Sequence, residues 1–210
     1  MSSLVAKDNG GGDFELAPAG THVARCTQVI DLGHQHSEKY NNTSHKILIG
    51  WEMPNTDRGG DDPGPWIKWK EYTLSLGERS NLRKDLQSWR GVPFSEAELQ
   101  GFDIQKVLGA TCLITIIHEK SKSNPDRTYA KVASVTSLPS GTQVPDQATD
   151  TVFFEIQNWD QKLFDTFSEH LQKQINESNE VKERRNGAAP PAATGGNGQP
   201  ASAVHDDIPF

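Results

Sequence analysis

The chain has 210 residues with 28 acidic against 21 basic side chains, a formal net charge of −7. Hydrophobic content is 34%, no apolar run approaches the length needed to cross a bilayer, and the N-terminal stretch lacks the apolar core of a secretory signal. A cytoplasmic protein without a membrane partner is expected, and its two cysteines, Cys26 and Cys112, read as buried free thiols of a reducing compartment.

Residues 1–13 read as a flexible N-terminus, because Gly10, Gly11 and Gly12 in a row resist fixed structure. Phe14 and Leu16 are expected to dock on the edge of the body. Thr21–Leu32 reads as the first strand, with Gly33 as its end and His34–Asn42 as a polar loop. His34 and His36 are read there as surface histidines, since no carboxylate or cysteine pattern joins them. His45–Glu52 is the second strand, and Gly50 inside it marks a bend. A turn-rich connection follows, in which Asp61 and Asp62 read as a solvated turn.

Trp66–Leu76 is the third strand. Ile67 and Trp69 alternate with Lys68 and Lys70 before Tyr72, Leu74 and Leu76 take over the apolar parity, so a bulge is expected near Glu71. Ser80 is a good N-cap for a helix that places Leu82, Leu86 and Trp89 on one stripe, and Gly91 closes it. Ser95 and Glu98 have capping-box spacing, and Phe102–Leu108 reads as a further short turn of helix. Thr111–His118 is an apolar fourth strand, and Thr128–Leu138 a fifth, joined to it by a hairpin loop. Val152–Ile156 is a short edge strand or a docked segment. Trp159–Asn179 reads as one helix with Leu163, Phe164, Phe167, Leu171 and Ile175 as its apolar stripe.

Three strands, a helical insertion, two strands and a terminal helix make a mainly β protein with helical additions. The expected architecture is a five-stranded OB-fold barrel with a helical insertion between strands 3 and 4 and a C-terminal helix; another small antiparallel α+β domain has the same element order. The body is expected over 14–180, a disordered linker over 181–203 and a short acidic tip over 204–210. The linker is dominated by Ala, Gly, Pro and Asn, a composition that does not repay the entropy of ordering.

For catalysis the chain offers no phosphate loop, no dinucleotide fingerprint and no His-Glu-x-x-His, so no enzyme, cofactor or metal is expected. Single-strand binding needs cations along a groove and aromatic faces for bases. Between Trp66 and Arg90 six basic residues face three acids, a local positive excess within an acidic chain. Trp66, Lys68, Lys70 and Tyr72 are the candidate binding residues of the third strand, with Lys68, Lys70 and Trp66 on the binding side and Trp69 in the core; both tryptophans being structural is the alternative. Lys39 and Tyr40 between strands 1 and 2, Arg83 and Lys84 on the helix, and Lys120, Lys122, Arg127 and Tyr129 around the hairpin loop complete the candidate set. Trp51 and Trp89 are assigned to the core.

The last residues read His205-Asp206-Asp207-Ile208-Pro209-Phe210, two carboxylates followed by an apolar pair around a rigid proline. Asp206, Asp207, Ile208, Pro209 and Phe210 resemble the acidic tip of bacterial and phage single-stranded DNA-binding proteins. The resemblance covers the tip and the general layout of a body, a linker and a docking signal. It implies an OB-fold body that coats single-stranded DNA during replication, recombination or repair in a bacterial host cell, and a tip that recruits host replication or repair proteins. The helical insertion and the long terminal helix depart from the ordinary bacterial version and look more like a phage or prophage type. An adaptor that uses the tip without binding DNA, and a strand-annealing recombination mediator, are the other functions these features fit. A homodimer is an open possibility.

Overall fold

An 18-residue strand, β1 (Gly20–Ser37), carries the architecture of the computed structural model, which describes residues 15–59, 63–122 and 124–187. Phe14, Asp61, Asp62 and the tip Asp206–Phe210 lie outside the described residues. β1 pairs antiparallel along most of its length with β2 (Asn42–Met53), and β2 pairs with β3 (Trp66–Thr73). The first six residues of β1 pair antiparallel with β4 (Thr111–Lys120), which pairs with β5 (Thr128–Thr136). The resulting order is β3-β2-β1-β4-β5, a mainly β antiparallel sheet. A three-residue strand, β6 (Val152–Phe154), runs parallel to β1 beside Gln28–Ile30, on the edge that β4 has left. No helix among the described residues is long and apolar enough to cross a membrane.

The ends of β1 and β3 and the positions of the bulges differ from the sequence reading. Gly33 does not end β1; with φ +68° it sits beside a bulge, and the strand continues to Ser37. A side chain at Gly33 would come within 2.7 Å of Ile156 and Ser178, so glycine admits the C-terminal segments against the sheet. β3 stops at Thr73, and its register against β2 is unbroken through Glu71, so the expected bulge there is absent. The bulges fall instead at Thr27 and Leu32 in β1 and at Ala133 in β5, opposite Thr115 and Ile116 of β4.

Helix α1 (Asn81–Arg90) is capped by Ser80 and closed by Gly91 at φ 72°, and it buries Leu82, Leu86 and Trp89. These pack with Val29, Ile47, Ile49, Trp51, Ile114 and Val132 in the main core, where Cys26 and Cys112 are also buried as free thiols. Burial pushes both thiols up, which keeps them protonated and unreactive. α2 (Glu96–Gln100) begins with the capping box of Ser95 and Glu98, and a short 3₁₀ turn covers Ile104–Val107.

The expected single C-terminal helix is three: α3 (Gln161–Asp165), α4 (Glu169–Asn176) and α5 (Asn179–Arg185). Asp160, Ser168 and Ser178 each accept from a backbone N–H as N-caps, and caps inside a helical pattern compete with its continuation. The apolar stripe itself is correct. Its residues join Ile30, Leu32, Phe154 and Ile156 in a second core on the opposite face of β1 and β2. Val181, expected in the linker, is buried in that core, so the folded body extends beyond residue 180.

Candidate nucleic-acid interface

Strand parity decides which side chains of β3 meet solvent. Trp66, Lys68, Lys70 and Tyr72 share the face that carries Ile47, Ile49, Trp51 and Met53 of β2, which is the core side. Tyr72 is 3% exposed and donates a hydrogen bond of 2.6 Å to Asp85 on α1. Burial first, and then the Asp85 carboxylate, hold its phenol well above the usual range. Lys70 reaches the same carboxylate oxygen at 2.6 Å. Lys68 is half-buried, and desolvation lowers its ammonium. Trp66 packs against the main core. The expected orientation is therefore reversed: Tyr72 is withdrawn from any base, Lys70 is paired internally, and Trp69 is the aromatic that faces outward.

Trp69 is 44% exposed. Its indole reaches over Gly50 of β2 and donates from Nε1 to Gln28 Oε1 of β1 at 2.7 Å, two strands away. A Cβ at Gly50 would lie 2.7 Å from both Cδ1 and Nε1 of the indole, so the glycine is what lets the ring lie down on the sheet. The bulge at Thr27 is the other requirement: it brings Gln28, rather than Thr27, opposite Gly50 on the outer face.

The rows on either side of Trp69 are covered. On one side lie Ile30, Leu48 and Glu71, in register across the three strands. Ile30 and Leu48 belong to the second core, and Gln174 of α4 donates to Glu71 at 2.9 Å. On the other side lie Arg25, Glu52 and Ile67. Glu52 is fully buried and accepts from the N–H groups of Ala148 and Thr149 and the Thr149 hydroxyl, while Arg25 donates to the Pro145 carbonyl.

The remaining candidates sit on two hairpin turns and on α1. In the β1–β2 turn Tyr40 is 70% exposed, with the Lys39 ammonium 5.3 Å from its ring centroid. Around the β4–β5 turn Lys120, Lys122 and Arg127 are exposed, and Tyr129 is 41% exposed beside them on β5. On α1, Lys84 is exposed, whereas Arg83 is bonded to Gln87 and to the Leu76 carbonyl. A groove of about 580 Å³ opens beside the end of β3, but Lys46 and Arg79 share it with Glu71 and Glu78, so it has no single preference of charge.

His34 and His36, read as surface loop residues, lie on β1 and have partners: His36 Nδ1 is 3.2 Å from the Thr43 hydroxyl of β2, and His34 joins a cluster with His45 of β2. His34 Nδ1 lies 2.5 Å from Glu180 Oε1 of α5, and His45 Nε2 lies 2.7 Å from Asp31 Oδ1. The two rings stack with centroids 4.7 Å apart. Glu180 also accepts from the His34 backbone N–H, and Asp31 from that of Ile156, so the cluster ties the sheet to the C-terminal segments.

Sequence reasoning missed Gln28 and the outward turn of Trp69, and it read Gly50 as a bend rather than as the seat of the indole. The available signal was Gly50 itself, a glycine inside an otherwise apolar strand, which marks close approach of another group. Compared with protein-family models and with curated proteins, the chain matches none.

Proposed function

We propose that the chain is a single-stranded DNA-binding protein of the OB-fold type, which coats exposed strands during replication or recombination and recruits host proteins through Asp206–Phe210. The strand order supports the fold reading. β1 to β3 form a meander, α1 lies between β3 and β4, and β3 and β5, at the two ends of the pairing path, lie against each other beside α1. The observation that carries the function is Trp69, a large exposed aromatic laid across the outer face of β2 and β3, the face on which OB folds take single strands. The exposed cations of the two hairpin turns, Lys39 at one and Lys120, Lys122 and Arg127 at the other, supply phosphate contacts to either end of such a path. The tip supports the recruiting half of the reading through its resemblance alone.

The test is fluorescence anisotropy of a labelled oligothymidine of about 35 nucleotides, titrated at several salt concentrations with duplex DNA as competitor. Salt-sensitive binding that duplex fails to displace is the expected result. No binding even at low salt overturns it and leaves an adaptor that works through the tip.

A further inference from the structure

The helical insertion between β3 and β4 has an opening of its own. A groove of about 190 Å³ is lined from the β3–α1 connection by Leu76, from α1 by Leu82 and Leu86, and from the α2 region by Leu99, Phe102 and Ile104. Leu74, 38% exposed, also borders it. Among the described residues its lining holds no charged side chain, and its one hydroxyl, Ser75 Oγ, accepts from the Gly77 N–H. Such a surface offers a polar ligand nothing to bond and suits an apolar side chain. A cavity of about 150 Å³ with apolar walls takes one benzene ring, so the groove has room for a single phenyl group.

The charges beside this lining are unevenly committed. Arg83 donates from Nη1 to the Leu76 carbonyl at 3.2 Å and from Nε to Gln87, which fixes its guanidinium at the rim. Its Nη2 makes no hydrogen bond among the described residues, and Lys84 next to it is exposed. The carboxylates adjacent in sequence to the lining are engaged elsewhere: Asp85 by Lys70 and Tyr72, Glu98 by Arg90 and Ser95, and Asp103 by the Gln105 N–H. The rim therefore favours an acid beside the apolar group.

The chain carries an occupant of that chemistry. Residues 188–210 hold three large apolar side chains, Val204, Ile208 and Phe210, and two acids, Asp206 and Asp207. Phe210 alone brings a phenyl ring. Counted from Gly187, where the described structure ends, this length reaches at most about 75 Å. That is ample for a body of this size, whose radius of gyration is about 15 Å. We infer that the groove of the helical insertion holds Phe210 of the same chain, with Asp206 and Asp207 against Arg83 and Lys84. The groove then stows the tip, and a host protein takes it only by displacing it from the body. No residue of the lining belongs to the candidate nucleic-acid interface, and the inference holds with or without DNA binding.

The experiment places 4-fluorophenylalanine at position 210 of the full chain and records its fluorine resonance without nucleic acid. The reference is a peptide of residues 203–210 with the same label. The expected signal is displaced from that of the peptide, and its position does not depend on protein concentration. Leu99→Asp puts a carboxylate into the groove and is expected to return the signal to the peptide position. A signal at the peptide position in the full chain overturns the inference, because the ring is then free. A displaced signal that Leu99→Asp leaves in place overturns it in favour of another seat, and one that appears only at high concentration overturns it in favour of a second copy. Phe210→Ala tests the same contact with the body unaltered, whether or not Leu99→Asp folds. The amides of Leu99 and Leu108, bonded to the Ser95 and Gln105 carbonyls, are expected to exchange severalfold faster while those of the sheet do not change. Equal exchange at Leu99 and Leu108 in Phe210→Ala and the full chain refutes the docking, and neither result bears on single-strand binding.

Discussion

Trp69 and Gly50 are cross-strand partners in which one residue exists for the other: the indole occupies the space that any side chain at Gly50 would fill. The pairing couples a backbone choice on β2 to the exposure of an aromatic on β3, and the Gln28 carbonyl fixes the ring's direction.

Gly50→Ala therefore acts on the platform without touching Trp69 itself. The new methyl meets the pyrrole edge of the indole, and overpacking of this kind costs about 1–3 kcal/mol. The indole is expected to lift from the sheet and lose its bond to Gln28, shifting Trp69 emission to the red and weakening oligothymidine binding. Denaturant unfolding and anisotropy on the same preparation check both effects. Unchanged emission in Gly50→Ala would show that the ring is not held by this contact.

Asp85 joins α1 to β3 through one oxygen that accepts from both Lys70 and Tyr72. Asp85→Asn removes the charge that pairs with Lys70, and Asp85→Ala leaves the buried Tyr72 hydroxyl without a partner. An unsatisfied buried donor costs about 1–3 kcal/mol, so Asp85→Ala is expected to lower stability by that amount. Tyr72→Phe, which removes the donor as well, is expected to cost less than Asp85→Ala. The midpoints of urea unfolding for the three variants test this order.

The order of strands and helices was legible because alternation, caps and turn residues are local. Ser80, Gly91, Ser95 and Glu98 each do what their spacing implies. The orientation of β3 was not legible, because Lys68 and Lys70 carry long apolar stems that run along the core side while Trp69 covers a glycine from outside. Polar-out, apolar-in alternation misreads both. Nor did the histidines disclose their partners: Glu180 lies 146 residues from His34, and only the folding of α5 onto β1 brings them together. The break of the terminal helix was written in Ser168 and Ser178, but a serine inside an amphipathic pattern reads as a cap only once the chain direction changes there.

Glu52 holds the 145–149 loop by accepting from two backbone N–H groups and the Thr149 hydroxyl while itself fully buried. Glu52→Ala is expected to release that loop and to cost about 1–3 kcal/mol through the donors it strands. Amide hydrogen exchange should rise at Ala148 and Thr149 while the amides of β4 and β5 keep their protection. An equal rise across the whole sheet would mean that Glu52 supports global folding rather than the loop.

The two histidine–carboxylate pairs make the docking of the C-terminal helices depend on pH, with opposite signs on the two sides. For His45 the bond to Asp31, against the opposing effect of burial, raises the imidazole above its ordinary 6.5, so its contribution is complete below pH 6.5 and is lost as pH rises through the raised value. For Asp31 and Glu180 burial pushes upward, but hydrogen bonds from His45 and from His34, together with backbone N–H groups, prevail and hold both carboxyls below their ordinary 3.8 and 4.5. Their contribution is complete above those values and is lost as pH falls through the lowered ones. Protection of the α5 amides is thus expected to be greatest between the two limits, in mildly acidic solution, and to fall toward alkaline and strongly acid pH. His45→Gln keeps a donor for Asp31 without a titrating proton, and it is expected to flatten the alkaline side while leaving the acid side in place. Hydrogen exchange of α5 across the pH range, corrected for the intrinsic exchange rate, decides it: matching alkaline declines in the full chain and in His45→Gln would place the titrating group elsewhere.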